Sequence, residues 1–276
     1  METSIKSLLV HMDGTAAAGT RLNLAHQLAT TCHARVSALF AVAPRYLSVL
    51  PLIPGMPSMP SGAPIDPNHR LLALSAFEQA SAGNAPPSEW MELTGEPVVE
   101  TFSRRALSAD LLFLGQRDPD DVSGYDVPAD FVESVLIDSG RPAFIVPHAG
   151  PASIAPKIVL VAWKPTRECA RAVTGALPFL RSASKVFLIE EGDDPTQAAP
   201  VDVREYLRLH GIVNVHQKAN LPEHRAGEAL LSVAAECDAE MIVMGCYGHS
   251  RARELVLGGV TRTVLDSTRL PVLMAH

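Results

Sequence analysis

Charge is scarce in this 276-residue chain, and cysteines are few. Only 19% of the residues are charged, against about 25% in ordinary globular proteins. The 23 basic residues are outnumbered by 30 acidic ones, for a formal net charge of −7. A protein that grips a nucleic-acid backbone needs a basic face, so no nucleic-acid partner is expected. The four cysteines, Cys32, Cys169, Cys237 and Cys246, lie far apart with no C-x-x-C pair. That spacing excludes a zinc ribbon and a disulfide scaffold and reads as reduced thiols in a cytoplasmic protein. Unbroken apolar runs are missing too. The longest uncharged stretch, Tyr46 to Ile65, carries Pro51, Pro54, Pro57, Pro60 and Pro64, a density that no membrane-spanning helix tolerates. The opening Met1-Glu2-Thr3 fits no signal peptide. A soluble, cytoplasmic protein without membrane partners is expected.

What the chain does contain is apolar bulk and repetition. Apolar residues make up 47%, enough for a well-filled core, and the length suits two domains. Residues 8–15 read L-L-V-H-M-D-G-T and residues 159–166 read V-L-V-A-W-K-P-T, an offset of 151. Residues 109–115, A-D-L-L-F-L-G, answer 239–245, A-E-M-I-V-M-G, at an offset of 130, and Pro142 answers Pro271 at 129. The shortfall of 21 places an insertion in the first half, and the proline-rich segment 44–67 has the right size and position.

Both halves alternate short apolar runs with helix-like stretches. The first half reads as strands at 5–12, 35–42, 88–93, 110–115 and 142–147 with helices at 16–33, 69–82, 96–108 and 128–139. The second reads as strands at 157–163, 185–189, 212–216, 241–245 and 270–275, with helices after the N-cap Thr166 and over 201–209, 223–237 and 259–267. Such alternation predicts two doubly wound α/β domains with parallel sheets and right-handed crossovers, at 1–150 and 155–276, joined by a linker at about His148 to Pro156. Ligands in such sheets sit beyond the carboxyl ends of the strands. Here those ends are Asp13, Gly115, Lys164 and Gly245 with their following loops.

One segment is a sharp motif. Residues 245–261 read G-C-Y-G-H-S-R-A-R-E-L-V-L-G-G-V-T. Gly245 and Gly248 follow a buried strand, and Gly258 and Gly259 open the next helix ahead of Val260 and Thr261. Glycines let the backbone approach oxygen atoms, and a helix N-terminus presents unpaired N–H groups, so the pattern suits a polyphosphate. His249, Ser250, Arg251 and Thr261 add donors.

This segment resembles the G-x2-G-x9-G-[S/T] signature of the universal stress protein family. A-E-M-I-V-M-G-C-Y-G-H-S-R is similar to that family's fourth strand and loop, V-A-W-K-P-T-R-E-C-A-R-A-V to its first strand and helix, and L-P-V-L-M-A-H to its last strand. The whole chain resembles the tandem form, with the fold shared by adenine-nucleotide alpha-hydrolases. The resemblance implies ATP or AMP at the strand ends, pairing of domains through their last strands, with a homodimer as a further option, and a role in stress survival. It carries nucleotide binding onto Ala162, Trp163, Lys164, Gly245, Gly248, His249, Ser250, Gly258, Gly259, Val260 and Thr261.

Two departures qualify it. The family's acidic residue after the first strand survives as Asp13 in Asp13-Gly14-Thr15 but is Lys164 in the second half. The glycines survive only in the second half. Their first-half counterparts are Asp118, Ala129 and Asp130, within and beyond the acidic loop 116–121. Like charges about 4 Å apart repel by about 1 kcal/mol in water and by more when buried, so the first site is expected to be closed to triphosphates. Gly259 also lacks the family's hydroxyl.

Weaker signals remain open. His11 and Asp13 lie two apart near a strand end, a spacing that suits a metal site or an acid–base pair, or else a core histidine bonded to backbone and an aspartate that caps the following helix. Cys246 is either a thiol gate within the loop or a small turn residue. The apolar segment 46–65 is either a flap over the first crevice or a packed insertion. The leading expectation is a nucleotide-binding stress-response protein acting as a regulator. Any ATP hydrolysis would be slow, since a magnesium ion accompanying the nucleotide finds no dedicated carboxylate beside the glycine loop. The alternatives are an enzyme or binder of a metal or small molecule at the His11/Asp13 crevice, or an interaction scaffold with a vestigial loop.

Overall fold

The computed structural model describes residues 5–43, 45–46, 62–63, 65–94, 97–149, 154–190, 202–218, 225–247 and 259–276. The expected strands and helices form to within three residues of their anticipated ends. In the first half these are β1 (Ser7–Met12), α1 (Ala17–Cys32), β2 (Arg35–Val42), α2 (Pro67–Ala80), β5 (Ser88–Thr94), α3 (Val98–Ala106), β6 (Leu111–Gly115), α4 (Phe131–Ser139) and β7 (Ala143–Val146). Two features were not anticipated. A two-residue ladder pairs β3 (Arg45–Tyr46) with β4 (Gly62–Ala63), and a 3-10 turn covers Val122–Asp126. Most of the proline-rich segment, residues 47–61, lies outside the described residues, and with it the flap reading. The second half contributes β8 (Ile158–Trp163), α5 (Arg167–Ser182), β9 (Lys185–Glu190), α6 (Val203–Leu209), β10 (Val215–Gln217), α7 (Ala226–Glu236), β11 (Met241–Gly245), α8 (Val260–Ser267) and β12 (Val272–Ala275).

Local chemistry explains several ends. Asp66 caps α2 by accepting from the Asn68 amide at 2.9 Å, and Pro67 stands at the first helical position, where its missing N–H costs nothing. Thr166 caps α5 by accepting from the Cys169 amide. Strands such as Leu111–Gly115 and Met241–Gly245 are apolar throughout and buried on both faces, as parallel strands covered by helices must be.

The strands assemble into one ten-stranded sheet in the order β10-β9-β8-β11-β12-β7-β6-β1-β2-β5. Within each half, counting that half's own strands, the order is 3-2-1-4-5 and every pairing is parallel. The halves meet through β7 and β12, which pair antiparallel with Leu273 opposite Phe144. Phe144 extends the seam, packing on Phe113 of β6 at 5.2 Å and on Phe179 of α5 at 5.6 Å between centroids. α5 approaches so closely that a Cβ at Gly175 would stand 2.9 Å from a Pro142 side-chain carbon. One layer of apolar core includes α1, α2, α5 and α6, and the other includes α3, α4, α7 and α8. No helix among the described residues is long and apolar enough to cross a membrane.

Candidate functional site

In an open parallel sheet a crevice forms where neighbouring strands send their chains to opposite faces. That happens twice here, between β1 and β6 and between β8 and β11. The burial pattern aligns the two halves at the offset of 151. Ala18, Arg21, Leu22, Ala25, Leu28 and Ala29 are buried on α1, and Cys169, Ala172, Val173, Ala176, Phe179 and Leu180 on α5. Arg21 and Ala172 therefore hold the same position.

In the first half that position fills the crevice. Arg21 is 1% exposed. Its Nη2 donates to Asp13 Oδ2 at 2.6 Å and its Nε to the His11 carbonyl at 3.0 Å. The guanidinium lies over the end of β6, so a Cβ at Gly115 would come within 2.1 Å of Nη1. Asp13 also accepts from the Thr15 amide at 3.0 Å and from its hydroxyl at 2.5 Å. Burial pushes the Asp13 carboxyl up, but the Arg21 charge, with His11 and the Thr15 bonds, holds it below the ordinary carboxylate value. His11 faces Phe131 at 4.3 Å and Phe102 at 5.6 Å between ring centroids, and its Nε2 lies 2.9 Å from the Ala41 carbonyl. Burial lowers its pKa to about 4, with Asp13 opposing and Arg21 assisting the shift. Above these groups a cavity of about 110 Å³ reaches up to Arg117, Asp118 and His148.

The core-histidine reading of His11 is the one the geometry matches. Asp13 holds a turn and an arginine and does not cap α1, whose N-cap, Ala16, has no side-chain bond. No group of three or more His, Cys, Asp or Glu among the described residues is placed to hold a metal, and a guanidinium already occupies Asp13. Two carboxylates of the acidic loop have local partners: Asp118 lies 3.6 Å from His148, and Asp121 caps the 3-10 turn through the Ser123 amide at 2.9 Å. Beyond the loop, Asp126 contacts His69 Nδ1 at 2.5 Å.

The second crevice is built from other groups. Gly245 ends β11 against the start of α5, where a Cβ would meet the Cys169 amide nitrogen at 2.7 Å and the Glu168 carbonyl carbon at 2.9 Å. Those are backbone atoms that cannot yield, so glycine is required for close packing. Ala162 and Trp163 lie at the end of β8, followed by the half-buried Lys164. Gly259 is the N-cap of α8 with no side-chain bond, which leaves the first-turn amides uncapped by a side chain. Thr261 is 3% exposed, and its hydroxyl accepts the Tyr247 amide at 3.3 Å. It therefore ties the loop after β11 to α8. Tyr247 itself adopts a left-handed φ of 55°. Cys246 is 1% exposed, its amide bonded to the Ala275 carbonyl, which matches the turn-residue reading. Gly248, His249, Ser250 and Gly258 lie outside the described residues.

Four residues escaped the sequence reading. Arg21 looks like an ordinary helix-surface cation until its depth is known. Arg167 and Glu168 form a 2.6 Å pair at the start of α5, with the arginine side chain 73% exposed and the glutamate 6% exposed. They stand at the positions of Ala16 and Ala17, which line the first cavity. Gln116 is the fourth. Its Nε2 donates to the Leu265 carbonyl at 2.9 Å and the Thr268 carbonyl at 3.1 Å, and its Oε1 accepts from His148. The end of β6 thereby holds the carboxyl end of α8, in the opposite half.

Fold and crevices together define a doubly wound α/β protein with one strand-end crevice in each of two like halves. Residues 178–276, about a third of the chain, match the family model described as universal stress protein family. A universal stress protein of Synechocystis sp. is 42% identical over 48 residues, which is 17% of this chain and 17% of that protein. Among solved structures, a universal stress protein from Archaeoglobus fulgidus superposes with a TM-score of 0.69 at 20% identity, covering 98% of this chain and 95% of its own. A functionally unknown protein from Pseudomonas aeruginosa PAO1 gives 0.64 at 14% identity, covering 98% and 92%. At those identities the likeness establishes the fold over nearly the whole chain.

Proposed function

We propose that the chain is a tandem of two such domains, residues 1–150 and 155–276, and that only the second binds an adenine nucleotide, ATP or AMP. The observation that carries this reading is the convergence of Gly245 and the α8 N-terminus at the β8/β11 crevice, with Ala172 where the first half has Arg21. Uncapped first-turn amides favour an anion there. Lys164 and the exposed Arg167 supply cations at the rim, and Gly248, His249, Ser250 and Gly258 complete the loop by sequence. The match of residues 178–276 to the universal stress protein family model supports the same ligand class. The first crevice excludes a nucleotide because Arg21 and Asp13 occupy it as a buried pair. Binding without dedicated hydrolytic machinery fits a cytoplasmic regulator that signals nucleotide state to partners.

Isothermal titration of the full chain with ATP, ADP and AMP tests this. One site per chain is expected. Gly259→Asp, which sets a carboxylate beside the helix amides, should weaken it by about tenfold or more, about 1.4 kcal/mol. Absence of saturable heat at millimolar nucleotide would overturn the reading.

A further inference from the structure

The first-half crevice keeps two polar atoms that the fold does not use. Arg21 commits Nε and Nη2 to His11 and Asp13, whereas Nη1 has no hydrogen-bond partner among the described residues. His11 must carry its proton on Nε2 to meet the Ala41 carbonyl, which leaves Nδ1 a bare acceptor, 3.7 Å from the Asp13 oxygen and too far to bond it. The side chains of Arg21 and His11 are 2% and 3% exposed, and both line the cavity of about 110 Å³. Val127, Pro128, Phe131 and Val132 form an apolar wall to the same space. A donor and an acceptor on two deeply buried side chains thus open onto one cavity, where a single ligand that pairs with both would take the place of water.

Size and charge narrow the ligand. A cavity of about 150 Å³ is what benzene fills, so about 110 Å³ rejects a purine and admits only a short molecule. Asp13 cancels the Arg21 charge, His11 is neutral, and Asp118 and Asp121 outnumber Arg117 in the remaining lining, so an added anion would meet a net negative surround, while a neutral ligand avoids that cost. We propose that this crevice is a separate site for a short, neutral aliphatic carboxamide or like molecule. Its carbonyl oxygen accepts from Arg21 Nη1, its N–H donates to His11 Nδ1, and its alkyl end lies on Val127 and Val132.

Nuclear magnetic resonance titration of the full-length protein with isobutyramide tests the site. Saturable shifts of the Arg21 Nε–H and Gly115 amide signals are expected, undiminished by saturating ATP. Isobutyrate, of the same shape but charged, should bind at least about tenfold more weakly. Val132→Phe, which fills the space without touching the Arg21–Asp13 pair, should weaken isobutyramide by a similar factor. The proposal fails if isobutyramide gives no saturable shifts in the millimolar range, if Val132→Phe leaves them unchanged, if isobutyrate binds as well, or if ATP displaces the probe. ATP shifts at Gly245 and Gly259 in the same samples report the second crevice independently.

Discussion

Residues 21 and 172 occupy equivalent places on equivalent helices, and the two crevices of this protein diverge around them. In the first half a fully buried arginine reaches under the strand ends, neutralises Asp13 and covers Gly115. In the second, Ala172 sends no side chain over the strand end, Gly245 instead meets Cys169 and Glu168 at the start of α5, the aspartate has become Lys164, and the charged pair has moved outward to Arg167 and Glu168. The same backbone plan thus yields one crevice whose ionic groups are consumed by the protein and one whose cations face the solvent side. A buried ion pair is held by mutual dependence, because removing either partner strands the other in a low dielectric.

The contrast is broken most forcefully at the plug itself. Arg21→Met should cost about 3–5 kcal/mol in urea unfolding by leaving Asp13 buried and unpaired, and Asp13→Asn added to it should restore much of the loss. Equal stability of Arg21→Met and the native protein would show that the pair supports nothing.

Acid titration comes next. His11 has a folded pKa of about 4 against an unfolded value of 6.5, so the unfolded chain takes up the proton first. Its effect is absent above pH 6.5 and grows as pH falls towards 4, reaching a loss of about 3 kcal/mol. Asp13 is shifted downward from 3.8 instead, so the stability it contributes is present above that value and is lost only below it. His11→Gln, which retains a donor for Ala41, should flatten the fall between pH 6.5 and 4 measured by denaturant midpoints.

Coupling between the halves is smaller in size. Gln116→Ala strips the Leu265 and Thr268 carbonyls of their side-chain donor, and about 1–3 kcal/mol should be lost. Probes in each half should then unfold less coincidently than in the native protein. Finally, Lys164→Asp with Ala172→Arg would copy the plug into the second crevice. A loss of nucleotide affinity of about tenfold, or about 1.4 kcal/mol, is the outcome to look for by calorimetry. Unchanged affinity would show that the arginine is not what separates the halves.

Much of this architecture was readable in advance because it rests on short-range chemistry. Apolar runs such as Met241–Met244 have few ways to be satisfied except between two helical layers, and Thr166 announces its helix by accepting from the Cys169 amide three residues on. The repeat placed the two crevices, and the last-strand pairing inferred from the family resemblance appears as β7 beside β12. The local packing of the acidic loop was not readable, because it depends on His148 standing beside Asp118 and on Asp121 capping its own turn through the Ser123 amide. The glycine loop's middle, Gly248 to Gly258, lies outside the described residues, so its role rests on the motif.

Strand count, helix spacing, the doubling of the chain and the position of its glycine-rich segment follow from the order of residues alone, since periodicity and caps act within a few positions. The occupant of each crevice does not. Whether an arginine eight positions beyond an aspartate turns inward, or a glutamine secures a helix end 149 residues away, depends on which surfaces the folded sheet brings together. Burial, and the electrostatic penalties it imposes, exists only once distant parts of the chain have met.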